Sequence, residues 1–232
     1  MLHINTTLKK ELNYNATRQS EKGGLKAAKQ LIPKEDGTLR GTVMDYIKHI
    51  INYNPANEQE CQDKRIILDY IEKFQHNILL RDNELAHITS SGFIMNESLD
   101  KVLLIHHNIR NVWAWTGGHV DGDADFLHVA IKEAKEETGI SNVAALSNNI
   151  VSIDILPVFA HVRRNKYISA HLHFSVSYIH IASEKENLKI KPDENSGVDW
   201  LSLDKFTDEY FEANDVYLYN KLINRAKQFK RL

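Results

Sequence analysis

The sequence predicts an α+β fold in which helices pack on the faces of a mixed β-sheet. Strand-like runs bounded by turn residues occupy most of the chain between residues 86 and 203. A helical pattern lies among these runs, within residues 117–140, and further helical patterns lie before and after them. Because strands both precede and follow a central helix, we expect a mixed sheet that carries helices on its faces.

The bulk composition is that of an ordinary globular protein. With 232 residues, the chain is long enough for one or two domains and a sizeable core. Hydrophobic residues make up 42% and charged residues 26% of it, and both values are typical of soluble domains. The formal net charge is −2, so no global field favours nucleic acid or an anionic membrane as a partner.

A single cysteine, Cys61, limits the chemistry of the chain. It excludes an intramolecular disulfide and a cysteine-based zinc cage, and it favours a reducing, cytoplasmic setting. Residues 1–15 lack the apolar core of a signal peptide. No apolar run approaches the roughly 20 residues that a membrane helix needs, so we expect no membrane partner.

The pattern divides the chain into three regions. Residues 1–40 are a polar N-terminal extension, in which residues 25–32 could form a short helix. Residues 41–80 are a helical region, and residues 86–232 form the main domain together with a C-terminal helix.

The helical region contains two predicted helices. The first begins near Thr42, and the second covers about residues 55–75, with Asn54 as its N-cap and Pro55 at its first position. The two helices either pack against the main domain or form a lid beside a site. Their apolar residues at helical spacing are Val43, Tyr46, Ile47, Ile50, Ile51, Ile66, Ile67, Tyr70, Ile71 and Phe74.

The main domain reads as a series of strands around one helix. The predicted strands cover residues 86–96, 101–107, 150–162, 167–182 and 197–203. The first two flank a short polar turn, which predicts a hairpin. The turn between the two long runs contains Arg163, Arg164 and Lys166. An amphipathic helix at about residues 214–230 ends the pattern.

The stretch GGHVDGDADFLHVAIKEAKEETGI, residues 117–140, predicts a helix with an acidic face. Asp121, Asp123 or Asp125 can cap its N-terminus, and Gly139 is well placed to end it. One stripe of the helix is apolar and is predicted to be buried. Its members are Leu127, Ala130, Ile131, Ala134 and Thr138. The adjacent stripe carries Glu133, Glu136 and Glu137.

Carboxylates that converge on one point repel one another unless a cation lies between them. A hard divalent ion such as Mg²⁺ takes oxygen ligands and shares its shell with substrate phosphates. Gly117 and Gly118 let the backbone approach a metal or a phosphate, because no Cβ intervenes. The combination predicts a metal-bound polyphosphate site. The alternative is a solvated helix face on which Lys132 and Glu136 form an ordinary i, i+4 ion pair.

The spacing of these residues resembles the signature of the Nudix hydrolase superfamily, G-x5-E-x7-R-E-U-x-E-E-x-G-U, in which U is aliphatic. The matching residues are Gly118, Glu133, Ala134, Glu136, Glu137, Gly139 and Ile140. Two positions depart from the signature, because Ala124 stands at its first glutamate and Lys132 at its arginine. The lysine keeps the positive charge but loses the bidentate geometry of arginine, and the alanine cannot bind a metal.

The resemblance implies a Nudix-type α/β/α sandwich with a mixed sheet, preceded by the helical region. It implies a hydrolase that uses Mg²⁺ or Mn²⁺ to cleave a pyrophosphate bond in a nucleoside diphosphate linked to another moiety, or in a related organic pyrophosphate. The implied metal ligands are the carbonyl of Gly118 and the carboxylates of Glu133, Glu136 and Glu137. The implied catalytic residues are Lys132, Glu136, Glu137 and Glu194.

Glu194 enters this set because it resembles an acidic residue that family members often recruit from a distant loop, either as a further metal ligand or as the general base. Asp193 competes with it for this role, and the alternative to both is a solvated turn.

Four further side chains are candidates for contact with the substrate. His171 and His173 are two residues apart and so share one face of a strand, from which they could contact a base, a phosphate or a metal. His119 follows the glycine pair, and Trp113 could stack on a base. Two histidines alone are a weak signal, and either Trp113 or Trp115 is expected in the core. The turn at Arg163 is predicted to be a solvated hairpin tip and only secondarily a phosphate grip.

Two alternatives to the enzyme stay open at this point. Ala124, Lys132 and the helical region are compatible with a Nudix-fold module that binds a nucleotide-type ligand without cleaving it. An RNA 5′-end pyrophosphohydrolase is disfavoured by the near-neutral charge and the lack of an evident basic stripe. An isoprenoid isomerase would need a cysteine in the cleft, whereas Cys61 lies in a predicted helix. The apolar helices at both ends leave room for a homodimer.

Overall fold

A computed structural model describes residues 40–163 and 165–229. The polar extension, with its short helix predicted at residues 25–32, lies outside the described residues apart from residue 40, and so does Arg164. The four helices in the described part are α1 (Arg40–Asn52), α2 (Glu58–Phe74), α3 (Phe126–Thr138) and α4 (Ala213–Phe229). Two short 3-10 helices are Gln75–Leu79 and Leu203–Lys205. Within the described residues, no helix is both long and apolar enough to cross a membrane.

An eight-stranded mixed sheet forms the centre of the fold. The described strands are β1 (Ala86–Met95), β2 (Lys101–His107), β3 (Val112–Ala114), β4 (Thr116–His119), β5 (Ala144–Ala145), β6 (Ser152–Val158), β7 (His161–Arg163), β8 (Lys166–Ile168), β9 (His171–Ile181) and β10 (Asn195–Ser202). The main order is β10-β2-β1-β9-β5, while β3 pairs with β2, β4 with β1 and β6 with β9. The β1–β9 pair is parallel and the other pairs are antiparallel, so the predicted mixed sheet is confirmed.

The two long strand-like runs are each broken, contrary to the prediction of continuous strands. Antiparallel pairing between β6 and β9 ends at Val158 and His171. The chain between them forms a separate two-stranded hairpin of β7 and β8, in which Val162 and Tyr167 are exposed. The two runs alternate apolar and polar residues as a buried strand does. This pattern does not show where the chain leaves the sheet. The hairpin predicted for β1 and β2 is confirmed.

Helices cover both faces of the sheet. The first face packs against α1, α2 and α3 through a buried cluster that includes Tyr46, Ile50, Ile67, Ile71, Ile88, Phe126, Ala130, Phe174 and Val176. The second face packs against α4 through a cluster that includes Phe93, Met95, Val102, Leu104, Ile179, Tyr219, Leu222 and Ile223. Side chains alternate along a strand, so neighbouring residues such as Phe93 and Ile94 serve different clusters. The result is the α/β/α layering that the sequence predicts.

The start of α2 differs from the prediction. Its N-cap is Asn57, whose side-chain oxygen accepts a hydrogen bond from the Glu60 amide at 2.9 Å, so Asn54 and Pro55 precede the helix. Asn54 and Asn57 are both plausible N-caps in the sequence, and only the position of the first helical turn distinguishes them.

Glu60, in the first turn of α2, is fully buried. Its carboxylate accepts hydrogen bonds from Tyr53 at 2.7 Å and from Arg225 of α4 at 2.6 Å, and Lys221 of α4 lies 3.1 Å away. Lys221 also pairs with Asp154 of β6. This charge network joins the helical region to the C-terminal helix and the sheet.

Candidate active site

Helix α3 brings the acidic stretch to the edge of the sheet. Of the three predicted caps, Asp125 is the N-cap and accepts a hydrogen bond from the His128 amide at 3.0 Å. Gly139 ends the helix with φ of 76°, a left-handed conformation that glycine adopts without strain.

The buried stripe of α3 is rotated relative to the prediction. Leu127 and Ile131 are only half-buried. The buried residues are Phe126, Val129, Ala130, Ala134, Glu137 and Thr138. The rotation turns Glu137 towards the sheet, and the pattern of apolar residues does not predict this.

Glu137 is therefore a buried carboxylate, with 4% of its surface exposed. The amide of Gly117 donates a hydrogen bond to its Oε2 at 2.9 Å. Burial raises the pKa of Glu137 to about 8, and repulsion from Glu133 and Glu194 acts in the same direction, against the Gly117 hydrogen bond and the charge of Lys191. Burial thus disfavours the charged form of Glu137, which a nearby cation would favour.

Glu133 lies directly over Gly118. A Cβ on Gly118 would come within 2.6 Å of the Glu133 carboxyl carbon, which is far inside a normal contact. Gly118 pairs with Ser90 in the β1–β4 ladder, so the strand cannot easily withdraw. A side chain at position 118 would displace the Glu133 carboxylate, so the glycine preserves this close approach. Burial also raises the pKa of Glu133.

Glu194 completes a group of three carboxylates. It directly precedes β10. Each of the three residues Glu133, Glu137 and Glu194 has one carboxylate oxygen that lies within 4.8 Å of those of the other two. Glu136, which the sequence also assigns to the metal and to catalysis, is not part of this group. Its carboxylate is exposed and lies 3.7 Å from Lys132 and 3.2 Å from Lys191.

This group suits a hard divalent cation. Three carboxylate oxygens converge, and the two carboxylates from α3 have raised pKa values. Such an arrangement is costly when empty and favourable when a cation such as Mg²⁺ or Mn²⁺ neutralises it. Participation of the Gly118 carbonyl stays a prediction.

Basic side chains surround the carboxylates. Lys132 lies 3.8 Å from Glu133, in addition to its contact with Glu136. Arg163, at the tip of the β7–β8 hairpin, lies 3.3 Å from Glu194, and Lys191 lies 3.1 Å from the same carboxylate. Lys191 was missed from the sequence, although its position three residues before Glu194 is a weak signal for an ion pair.

Two contacts hold the Glu194 loop against the end of α3. The buried side chain of Asn195 donates a hydrogen bond to the carbonyl of Glu137 at 2.9 Å, and the amide of Lys189 donates one to the carbonyl of Thr138 at 2.8 Å. Asn195 therefore positions Glu194 relative to Glu137. The sequence carries no signal for this contact, because it joins segments 58 residues apart.

The remaining predicted site residues lie elsewhere. Ala124 packs against the core cluster under α1 to α3. Trp113 packs against the α4 cluster, 5.4 Å from the His106 ring and against Gly197. Trp115 contacts Phe93 and Tyr219, as expected for a core side chain. Contact of Trp113 with a substrate stays a prediction.

His119, His171 and His173 come together with a fourth histidine, His87, which was missed from the sequence. One ring nitrogen of each of the four lies within 4.8 Å of the others. Burial lowers the pKa of His119 to about 3 and that of His173 to about 2, and it also lowers that of His87. These three imidazoles are therefore neutral at physiological pH.

A family model described as the NUDIX domain matches residues 86–222. Among solved structures, the chain is similar to a hydrolase of the NUDIX family from Clostridium perfringens, with 23% identity, coverage of 60% of this chain and 96% of that chain, and a TM-score of 0.42. A C. elegans Ap4A hydrolase has 17% identity, coverage of 58% and 93%, and a TM-score of 0.41. A MutT NUDIX hydrolase from Burkholderia pseudomallei has 18% identity, coverage of 58% and 98%, and a TM-score of 0.39. No curated protein matches the chain.

Proposed function

Because this chain belongs to the NUDIX family, we propose that it is a metal-dependent hydrolase that cleaves a pyrophosphate bond. The substrate class is a nucleoside diphosphate linked to another moiety, or a related organic pyrophosphate. The cation is Mg²⁺ or Mn²⁺. A reducing, cytoplasmic setting and a homodimer stay predictions from the sequence.

The convergence of Glu133, Glu137 and Glu194 beside Gly117 and Gly118 is the observation that carries this proposal. Two glycines bring the backbone up to carboxylates whose pKa values are raised. A site with this charge binds a cation and, through the cation, phosphate oxygens.

The chain's own residues then have distinct roles. Glu133 and Glu137 would hold the cation, which when bound would neutralise phosphate charge and lower the pKa of an attacking water. Glu194 would serve as general base for the attacking water, because its carboxylate lies within 4.8 Å of the other two carboxylates. Lys191 and Arg163 fix its orientation through their contacts at 3.1 and 3.3 Å.

Lys132 and Glu136 orient neighbouring side chains in the proposed mechanism. Lys132 lies between Glu133 and Glu136, at 3.8 and 3.7 Å, so it keeps the charge of the family's arginine at this place. Glu136 in turn contacts Lys191. Both residues are therefore assigned to orientation of the catalytic carboxylates and of Lys191.

A substrate panel with Mg²⁺ and with Mn²⁺, read by identification of the products, tests the proposal. The panel should contain nucleoside diphosphate sugars, ADP-ribose, dinucleoside polyphosphates and nucleoside triphosphates. We expect metal-dependent cleavage between two phosphates of at least one class. A Glu133→Gln, Glu137→Gln double variant should abolish it, whereas the exposed Glu72→Gln should not. Absence of turnover across the panel with both metals would contradict the enzyme.

A second candidate is a module that binds a nucleotide-type ligand without cleaving it. The observation that favours it is Ala124, which packs into the core and leaves the signature without its first carboxylate. Calorimetry with ADP-ribose and Mg²⁺, followed by analysis of the recovered ligand, separates the two functions. Binding with the ligand recovered intact supports the module, and recovery of cleaved products supports the enzyme.

RNA 5′-end hydrolysis is the third and weakest candidate. Failure to bind or convert 5′-triphosphate RNA or capped RNA at low salt would remove it, because phosphate contacts are strongest under that condition.

A further inference from the structure

Four histidines converge on the face of the sheet that lies opposite α3. His87 of β1 is the register partner of His173 of β9, while His119 of β4 is the partner of Thr89, two residues beyond His87. Ile88 and Phe174, which follow these histidines, pack under α3. Because side chains alternate along a strand, the histidines point to the other face.

The four rings are packed against one another. Their centroids lie 4.9 Å apart for His87 and His119, 5.0 Å for His87 and His171, and 4.9 Å for His119 and His173. The Nε2 atoms of His171 and His173 are 3.2 Å apart.

Backbone carbonyls fix the orientation of two of the rings. Nδ1 of His87 lies 3.0 Å from the carbonyl oxygen of Asn83, and Nδ1 of His171 lies 2.8 Å from that of Ser169. A carbonyl only accepts hydrogen bonds, so each Nδ1 carries the proton and each Nε2 presents a lone pair. Nε2 of His87 is buried and has no hydrogen-bond partner. Metal-bound histidines show the same pattern, with the second nitrogen donating to a carbonyl or carboxylate.

We propose that His87, His119, His171 and His173 form a second metal site, which binds one divalent transition-metal ion of the class of Zn²⁺. Imidazole nitrogen suits Zn²⁺, Cu²⁺ and Ni²⁺, whereas the carboxylates of the first site suit Mg²⁺ and Mn²⁺. Two nitrogens at about 2.0–2.1 Å from a tetrahedral ion lie about 3.3–3.4 Å apart. The separation of 3.2 Å between His171 and His173 is close to that value.

The surroundings are compatible with a cation. Arg81 and Asp121 form a bidentate ion pair, with Nε to Oδ1 at 2.7 Å. This pair adds little net charge, since the repulsion of a cation by Arg81 is offset by its attraction to Asp121.

The ion would join three strands beside the first site. His119 follows Gly118 directly, so coordination at His119 would anchor the strand that presents the glycine pair to Glu133 and Glu137. In this role the histidines replace the substrate contact that the sequence predicts for His119, His171 and His173. The site therefore acts as a structural clamp on the catalytic edge.

Metal binding to the full chain, stripped with a chelator, tests the proposal with Zn²⁺ alone as the probe. Equilibrium dialysis and elemental analysis should find one tightly held Zn²⁺ per chain. The Glu133→Gln, Glu137→Gln, Glu194→Gln triple variant should retain this ion. His171→Ala and His173→Ala should each weaken its binding by more than about tenfold, whereas His49→Ala, at an exposed position of α1, should have no effect.

A spectroscopic and a stability readout make the result independent of activity. Co²⁺ bound in place of Zn²⁺ should give the strong visible absorption of a four-coordinate ion in the carboxylate triple variant and not in His171→Ala. Zn²⁺ should raise the thermal midpoint of the triple variant and not that of the triple variant with His171→Ala added, whose half-exposed position tolerates truncation. Zn²⁺ binding that is lost in the triple variant, unchanged in both histidine variants or absent from the wild-type chain would overturn the proposal.

Discussion

The amide of Gly117 donates a hydrogen bond to Oε2 of Glu137 across 2.9 Å, and this contact couples the glycine pair to α3. It gives a buried carboxylate one fixed partner while leaving its second oxygen available. It also makes Glu137 dependent on the position of β4, so the strand and the helix are held in one arrangement before a cation binds. Preorganisation of this kind reduces the cost of assembling the site.

Glu137→Gln should separate charge from shape at this position. The amide oxygen can still accept from Gly117, but the ligand charge is lost, so we expect kcat to fall by about 100-fold or more and Mg²⁺ affinity to fall with it. The thermal midpoint in chelator should not decrease, because burial already favours the uncharged form of this side chain and the amide can keep the Gly117 hydrogen bond. Steady-state kinetics and thermal unfolding measure the two quantities. A large drop in the midpoint would instead indicate a structural role.

Gly118→Ala tests the close approach of β4 to α3. The new Cβ would lie 2.6 Å from the Glu133 carboxyl carbon, so Glu133 must move and we expect a loss of about tenfold or more in Mg²⁺ affinity and kcat/KM. In a Glu133→Ala background the same substitution should cost almost nothing further, because its clash partner is absent. Metal titration of the four proteins completes this cycle. Equal losses of Mg²⁺ affinity in both backgrounds would mean that the substitution acts by disturbing the backbone of β4 and not by displacing Glu133.

Local periodicity was enough to predict the helix and its glutamates, since capping and spacing are properties of one short segment. Glu194 required the family resemblance, because nothing near it in sequence points to α3. His87, Lys191 and Asn195 were missed for one reason. The partners that place them in a site come from distant segments: His87 meets His173 through the parallel register of β1 with β9, and Lys191 and Asn195 meet Glu136 and Glu137 of α3.

The orientation of Glu136 could not be predicted for a different reason. A helical wheel places Glu133, Glu136 and Glu137 on neighbouring positions, but the rotation of α3 is decided by the packing of Phe126, Val129 and Ala130 on the sheet. That rotation buries Glu137 and leaves Glu136 exposed.

Glu194→Gln tests the assignment of Glu194 as general base. If it transfers a proton, kcat should fall by about 100- to 10,000-fold, while the Kd for Mg²⁺ measured without substrate should change by less than about threefold. Asp193→Asn, the neighbouring carboxylate that competes for the role, should leave kcat within about threefold. Parallel losses of metal affinity and kcat in Glu194→Gln would make Glu194 a ligand and leave the base elsewhere.

Glu60→Gln should reveal how firmly the helical region is held against α4. The buried carboxylate receives Tyr53 and Arg225 and lies beside Lys221, so its loss leaves buried cations without their partner. We expect the free energy of unfolding at pH 7 to fall by about 3–5 kcal/mol. The exposed Glu58→Gln, two residues earlier in α2, should change it by less than about 0.5 kcal/mol. Urea unfolding of both variants measures the difference.

The same carboxylate makes stability depend on pH in a defined window. Burial by itself would raise the pKa of Glu60, but hydrogen bonds from Arg225, the Ala56 amide and Tyr53, together with the charge of Lys221, lower it from 4.5 to about 2. A lowered folded-state pKa means that the stabilisation is complete above pH 4.5 and is lost as the pH falls towards 2. Asp154, which pairs with Lys221, faces the same network in both proteins. Urea midpoints between pH 5 and pH 2 should therefore fall more steeply for the wild-type chain than for Glu60→Gln, and parallel curves would show that Glu60 does not carry the network.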